Sequence, residues 1–255
     1  SGEGLAVQSV RRVAGAHSGV ALILVDERGE NSIAVAPGTN ALLAPDDVAA
    51  IAERLSPRDL LVVQLEIPLE TVMAAVRTAR RVGARVILNP APACDLPDEL
   101  LRGVSVLTPN RAEAARLAKV PEDDEQDLDA IATALLRRGV GAVVITLGAA
   151  GAFVATAELR ETIAGYSVVA RDTTGAGDVF NGALAVALAE RMSLGDAVRF
   201  ANAAAAISVT RDGAQPAAPH RTEIVQLLRD DEAPRSDVVD RYAQTSESLH
   251  RKRDA

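Results

Sequence analysis

From Pro45 onward the chain alternates short apolar runs with segments of helical spacing, and this alternation constrains the fold more than any other feature. The pattern predicts strands at Leu60–Leu65, Arg85–Leu88, Val104–Leu107 and Ala142–Thr146. Between them it predicts helices at Leu69–Val82, about Arg111–Ala118 and Asp127–Arg138. Two further strands are expected at Gly151–Thr156 and Ile163–Val169. Small-residue helices follow near Ala176–Glu190 and Leu194–Thr210, and a last helix begins near Arg221. A strand that returns parallel to its predecessor needs a long crossover, which a helix supplies. The order therefore implies an α/β fold with a mainly parallel central sheet covered by helices on both faces. Ligands bind such sheets at the carboxyl ends of the strands.

Before Pro45 the pattern differs. Two apolar runs between Gly19 and Val35 flank Asp26-Glu27-Arg28-Gly29-Glu30, which reads as a hairpin turn. Beyond about Asp230 the chain is polar and charged and reads as a disordered tail.

Composition excludes several classes. The net charge is −8 and there is no Trp, so neither a phosphate-backbone surface nor a stacking platform for nucleic acid is expected. No apolar run reaches membrane-spanning length, so no membrane partner is expected. Cys94 is the single cysteine, which rules out an internal disulfide and a cysteine-rich zinc site. His17, His220 and His250 are too scattered to form a recognisable ligand motif. A soluble protein of a reducing, cytoplasmic compartment is the expectation. Lys119 and Lys252 are the only lysines, and no lysine-bearing phosphate loop is present.

The segment with most chemistry is Asp172-Thr173-Thr174-Gly175-Ala176-Gly177-Asp178-Val179-Phe180-Asn181-Gly182. It lies where a strand gives way to a helix. Glycines there let backbone N–H groups approach an anion, and the helix start adds partial positive charge. Such a site suits the charge that spreads over a transferring phosphoryl group. Asp178 falls in the first helical turn, where a carboxylate can take a proton from an attacking hydroxyl. A plain helix cap accounts for Thr174 and Asp178 but not for two glycines flanking one alanine, since Gly is poor inside a helix.

This segment resembles the C-terminal signature of the ribokinase-like sugar kinases. Gln64-Leu65-Glu66, Asn89-Pro90-Ala91-Pro92, Thr108-Pro109-Asn110-Arg111-Ala112-Glu113, Thr146-Leu147-Gly148 and Gly213-Ala214-Gln215-Pro216 occur in the family's order, from about Gly19 to Leu228. Each is weak alone; the ordered set is specific. The resemblance implies a three-layer α/β/α ribokinase-like fold with a partial β lid. It implies phosphate transfer from ATP to D-ribose, with Asp178 as base and an anion hole from Gly175, Ala176 and Gly177. It assigns ATP to Asn110, Thr146, Leu147, Gly148, Ala149, Ala150, Gly151, Gly177 and Asn202. Glu66, with Asp178, would meet the sugar. Glu113 would place Mg²⁺ through water. Asp172, with Thr174, Ser208, Arg211 and Gly213, would hold K⁺; Ala217 stands where the family commonly has a serine.

On the residues alone, Asn110 and Glu113 fit a helix capping box equally well, and Thr146–Gly151 fits a plain turn. Cys94 reads as an ordinary small residue. The resemblance divides the chain into a remnant of an N-terminal region (1–18), a lid hairpin (19–43), an α/β core (44–229) and a polar tail (230–255). It also implies that about 75 family residues, including sugar-gripping ones, have no counterpart here, and that the full-length protein pairs as a homodimer through the lid. A nucleotide-binding remnant without turnover, and a sister kinase for deoxyribose, fructose or a nucleoside, stay open at this point.

Overall fold

The structure, a computed structural model, describes residue 4 and residues 6–25, 31–120 and 127–231. Strands β1 (Val20–Val25) and β2 (Asn31–Ala36) pair antiparallel as a separate two-stranded sheet. Their connecting turn and the polar tail beyond residue 231 lie outside the described residues. Helix α1 (Pro45–Ala52) leads into the main sheet. That sheet contains β3 (Leu60–Val63), β4 (Arg85–Leu88), β5 (Val106–Leu107), β6 (Ala142–Thr146), β7 (Ala152–Ala155) and β8 (Arg160–Ile163), in that spatial order. Strands β3 to β6 run parallel, and β7 and β8 add an antiparallel flank.

Helices fill both faces because the strand side chains alternate. Val86 and Leu88 of β4 point into one core and Ile87 into the other. The first core is closed by α2 (Leu69–Val82), the short α3 (Asp98–Leu101), α4 (Arg111–Ala118) and α5 (Leu128–Arg137). The second is closed by α6 (Ala176–Ala189), α7 (Leu194–Ser208) and α8 (Arg221–Asp231). This is the three-layer α/β/α arrangement expected. Ala201, Ala203 and Ala204 of α7 are fully buried, and such small residues let α6 and α7 lie close together. Among the described residues no helix is long and apolar enough to cross a membrane.

Several boundaries correct the expectations. The strand predicted at Ile163–Val169 is instead Arg160–Ile163, and residues 164–170 form no strand. In β8 only Ile163 is buried, so the strand shows almost no apolar signal; Val168 and Val169 carry that signal but are exposed. Helix α8 continues through Asp230 and Asp231, past the expected start of the tail. Asp127 lies just outside α5 as its cap, accepting the N–H groups of Asp129 and Ala130.

Candidate active site

Helix α6 begins without a side-chain cap. Its cap position is Gly175 at φ 74°, a left-handed conformation that glycine alone adopts at no steric cost. A Cβ there would meet Ala214 at 3.0 Å and sit 3.8 Å from Asp178 Oδ2. The Asp178 carboxylate therefore lies against the turn that opens the helix. A Cβ on Gly177 would meet nothing within 4 Å, so that face is open. Ala176 N–H donates to Thr173 O at 3.2 Å, and N–H groups at a helix start without a side-chain cap suit an anion.

Two cavities border this turn. One, of about 490 Å³, is lined by Ala176 and Gly177 together with Thr146, Gly148, Ala149, Gly151 and Asn202. The other, of about 560 Å³, has Gly175 and Asp178 on its wall. The walls of the second are mainly apolar, with Val179, Ala183, Val186 and Ile224 prominent, and Asp178, Gln215 and Arg221 are its hydrogen-bonding side chains.

The Thr146–Gly151 segment is a tight turn between β6 and β7. Leu147 N–H donates to Gly151 O at 2.8 Å and Gly151 N–H to Gly148 O at 3.1 Å. Gly151 has φ 97°, and a Cβ on it would fall 2.1 Å from Ile163 O, so no other residue fits. Leu147 and Ala150 are not on the cavity wall, whereas their neighbours are. Asn202 is buried on α7, and its Nδ2 donates to Ile163 O and Ala164 O, each at 3.2 Å.

Asn110 and Glu113 form a complete capping box. Asn110 Oδ1 accepts Glu113 N–H at 2.8 Å, and Asn110 N–H donates to Glu113 Oε2 at 2.8 Å. Asn110 also bridges to Thr146 across the β5–β6 pair, which brings the box beside the turn. Burial pushes the Glu113 carboxyl above its ordinary value, against the lowering effect of the Asn110 N–H. A nearby cation would reverse that burial penalty. A single carboxylate of this kind fits a hydrated Mg²⁺, which keeps most of its waters.

Asp172 ties two loops together. Its Oδ1 accepts Thr174 N–H at 2.9 Å and its Oδ2 accepts Gly213 N–H at 2.8 Å. The Thr174 side chain and backbone, then Gly213, hold this carboxyl below its usual range. Arg171 N–H donates to Val209 O at 2.7 Å, so residues 171–174 and 208–213 are held side by side. Backbone carbonyls and one carboxylate in such loops are hard oxygen donors, a set that fits K⁺. Among the described residues no cluster of three His, Cys, Asp or Glu could hold a metal ion by side chains alone.

Glu66 is exposed beyond β3, where Gln64 Nε2 donates to its Oε2 at 3.3 Å, and it lines neither cavity.

The pfkB family of carbohydrate kinases matches this chain over residues 1–221. The chain belongs to that family. A ribokinase of Haemophilus influenzae is 42% identical over 226 residues, spanning 89% of this chain and 74% of that protein. A crystal structure of a ribokinase from Thermotoga maritima superposes with a TM-score of 0.73 at 39% identity, covering 84% of this chain and 70% of that one. An Arabidopsis thaliana ribokinase solved with ribose and ATP superposes with a TM-score of 0.71 at 30% identity, over 84% of this chain and 70% of that one.

Two residues beside this site stand in the sequence motifs but were given no role there. Thr108 and Asn181, both buried, hydrogen-bond to each other at 2.6 Å between the end of β5 and the first turns of α6. A polar residue four positions after a helix-start glycine was the available signal.

Proposed function

We propose that this chain is an ATP-dependent ribokinase, converting ATP and D-ribose to ADP and D-ribose 5-phosphate. The observation that carries the reading is the uncapped start of α6, set between two cavities with Asp178 against it. Asp178 takes the proton of the primary hydroxyl as that oxygen bonds to the γ-phosphorus. The bond from the γ-phosphorus to the bridging oxygen breaks, and ADP leaves. Amides of Gly175, Ala176 and Gly177 stabilise the charge that develops on the transferring group.

In this reading ATP lies along Thr146, Leu147, Gly148, Ala149, Ala150 and Gly151. Asn202 flanks the base and Asn110 reaches the phosphates. Glu66 and Asp178 meet the sugar. Glu113 would hold Mg²⁺ through water, and the ion when bound offsets phosphate charge. Asp172 and the carbonyls of Thr174, Ser208, Arg211 and Gly213 would hold K⁺ next to the anion hole. The hairpin of residues 19–43 acts as a lid and as the contact of a homodimer, a role supported by exposed Val20, Leu22 and Val35. Residues 44–229 are the catalytic core, and the cytoplasm, where ATP is abundant, is its place of action.

The test is ADP release with ribose, run beside deoxyribose, fructose and a nucleoside, in parent and Asp178→Asn protein. Ribose-dependent turnover that Asp178→Asn abolishes, while ATP still binds, is the expected result. Normal turnover by that variant would overturn the mechanism, and preference for another sugar would reassign the substrate.

A further inference from the structure

We infer that Thr108 and Asn181 are positioning residues that lock the phosphate-facing start of α6 to the junction carrying Asn110 and Glu113. The inference rests on the proposed kinase reading for its consequence, but the link itself is visible in the geometry.

The opening of α6 lacks a side-chain cap, so something else must hold it in place. Asn181, in the second turn, donates from Nδ2 to Gly177 O at 2.8 Å. A carbonyl can only accept, so the amide nitrogen must face Gly177 and Oδ1 must face away from it. Oδ1 then meets Thr108 Oγ1 at 2.6 Å, and the hydroxyl is forced to be the donor. Every hydrogen-bond direction in the chain Thr108, Asn181, Gly177 is thereby fixed.

Thr108 is itself anchored. Its N–H donates to Leu88 O at 2.9 Å, and its carbonyl accepts Asn89 Nδ2 at 3.3 Å. The next residue, Pro109, accepts Thr146 N–H at 2.9 Å, and Asn110 opens the capping box with Glu113. One buried contact therefore joins the three segments that border the phosphate position: the α6 start, the β5–α4 junction and the turn after β6.

The burial makes a purely space-filling role poor chemistry. Thr108 is 0% exposed and Asn181 6%. Two apolar side chains would fill the same volume without the desolvation that a polar pair suffers. What a fully satisfied buried pair provides is a single geometry. Neither side chain lines either cavity, so both act through the groups they hold.

The experiment compares parent, Thr108→Val, Thr108→Ser, Asn181→Leu and the Val/Leu double variant. It measures kcat and KM with ribose and ATP, and nucleotide affinity with ADP by calorimetry. Thr108→Val and Asn181→Leu are each expected to lower kcat by roughly 10- to 100-fold, the scale of a misplaced catalytic frame. KM for ribose should stay within about two-fold. The double variant should be no worse than the worse single one, because both remove the same link. Thr108→Ser, which keeps the hydroxyl, should recover most of the loss.

Where Asn181→Leu does not fold, Asn181→Asp replaces it. A carboxylate faces Gly177 O unfavourably, whereas its protonated form can donate, so kcat relative to parent should rise as pH falls. Folded Val and Leu variants with parental kcat and ADP affinity overturn the inference, as does a flat pH ratio for Asn181→Asp. A parent without ribose turnover, but with ADP affinity that falls jointly in the variants, overturns the kinase reading and leaves the positioning link standing.

Discussion

The start of α6 and the β1–β2 hairpin are held in place by different means. The helix start sits on the second core through Phe180 and Leu184 and reaches the β5 end through Asn181. The hairpin leaves Val20, Leu22 and Val35 exposed, Leu22 by 66%. It is fastened mainly by its own strand pairing and by a close approach at its foot, where Thr39 N–H donates to His17 O at 2.9 Å. The α6 start is placed by burial on a sheet that cannot shift without disturbing packed side chains. The described apolar side chains of the hairpin are exposed, so in the proposed reading it would move over a bound sugar at little cost.

Four variants test that contrast. Asp178→Asn should show the largest effect, a loss of about 10²- to 10⁴-fold in kcat with ADP affinity preserved. Activity near that of the parent would remove the catalytic half of the comparison. Gly151→Ala comes next. Its left-handed φ and the 2.1 Å clash with Ile163 O should cost roughly 1–3 kcal/mol in urea unfolding and weaken nucleotide binding. An unchanged unfolding midpoint would mean that the turn after β6 is as tolerant as the hairpin.

Glu113→Gln should show a pH signature. The folded Glu113 carboxyl titrates above its ordinary value because of burial. Its stabilising contribution is therefore present below that ordinary value and lost as pH rises through the folded one. Gln keeps the cap without the charge, so the Tm difference, variant minus parent, should grow from about pH 4 to pH 8. A shrinking difference would reverse the assigned cause. Leu22→Ser should do least to the monomer, changing stability by no more than about 0.5 kcal/mol. A cost matching that of Gly151→Ala would erase the distinction between the two regions. Sedimentation of this variant also reads the proposed dimer contact.

The parallel core was legible because β3, β4 and β6 are dense apolar runs, and helix α2 was legible to the residue. Its apolar positions Val72, Ala75, Val76 and Ala79 keep helical spacing, and Gly83 closes it at φ 79°. Strand β8 was not legible, because its pairing with β7 is made by backbone groups while Arg160, Glu161 and Thr162 point to solvent. Helix α3 passed unnoticed because it is only four residues long, too short for a clear period, and α1 passed unnoticed although it is as long as α4. At the site, the glycines and Asp178 announced themselves through residue types that a simple helix does not need. Thr108 and Asn181 did not, because their meaning lies in a contact across 73 positions. The Asn110–Glu113 pair illustrates the remaining gap, since the capping box is formed and any role with phosphate or metal is additional to it.

The bare opening of α6 has one more consequence. A helix start with no side-chain cap leaves room for an anion to take that place, so nucleotide should act as a stabiliser as well as a reactant. At a nucleotide concentration of about 100 times Kd, that linkage is worth about 2.7 kcal/mol. When cellular ATP and ADP run low, this end of the molecule should lose that added protection against proteases.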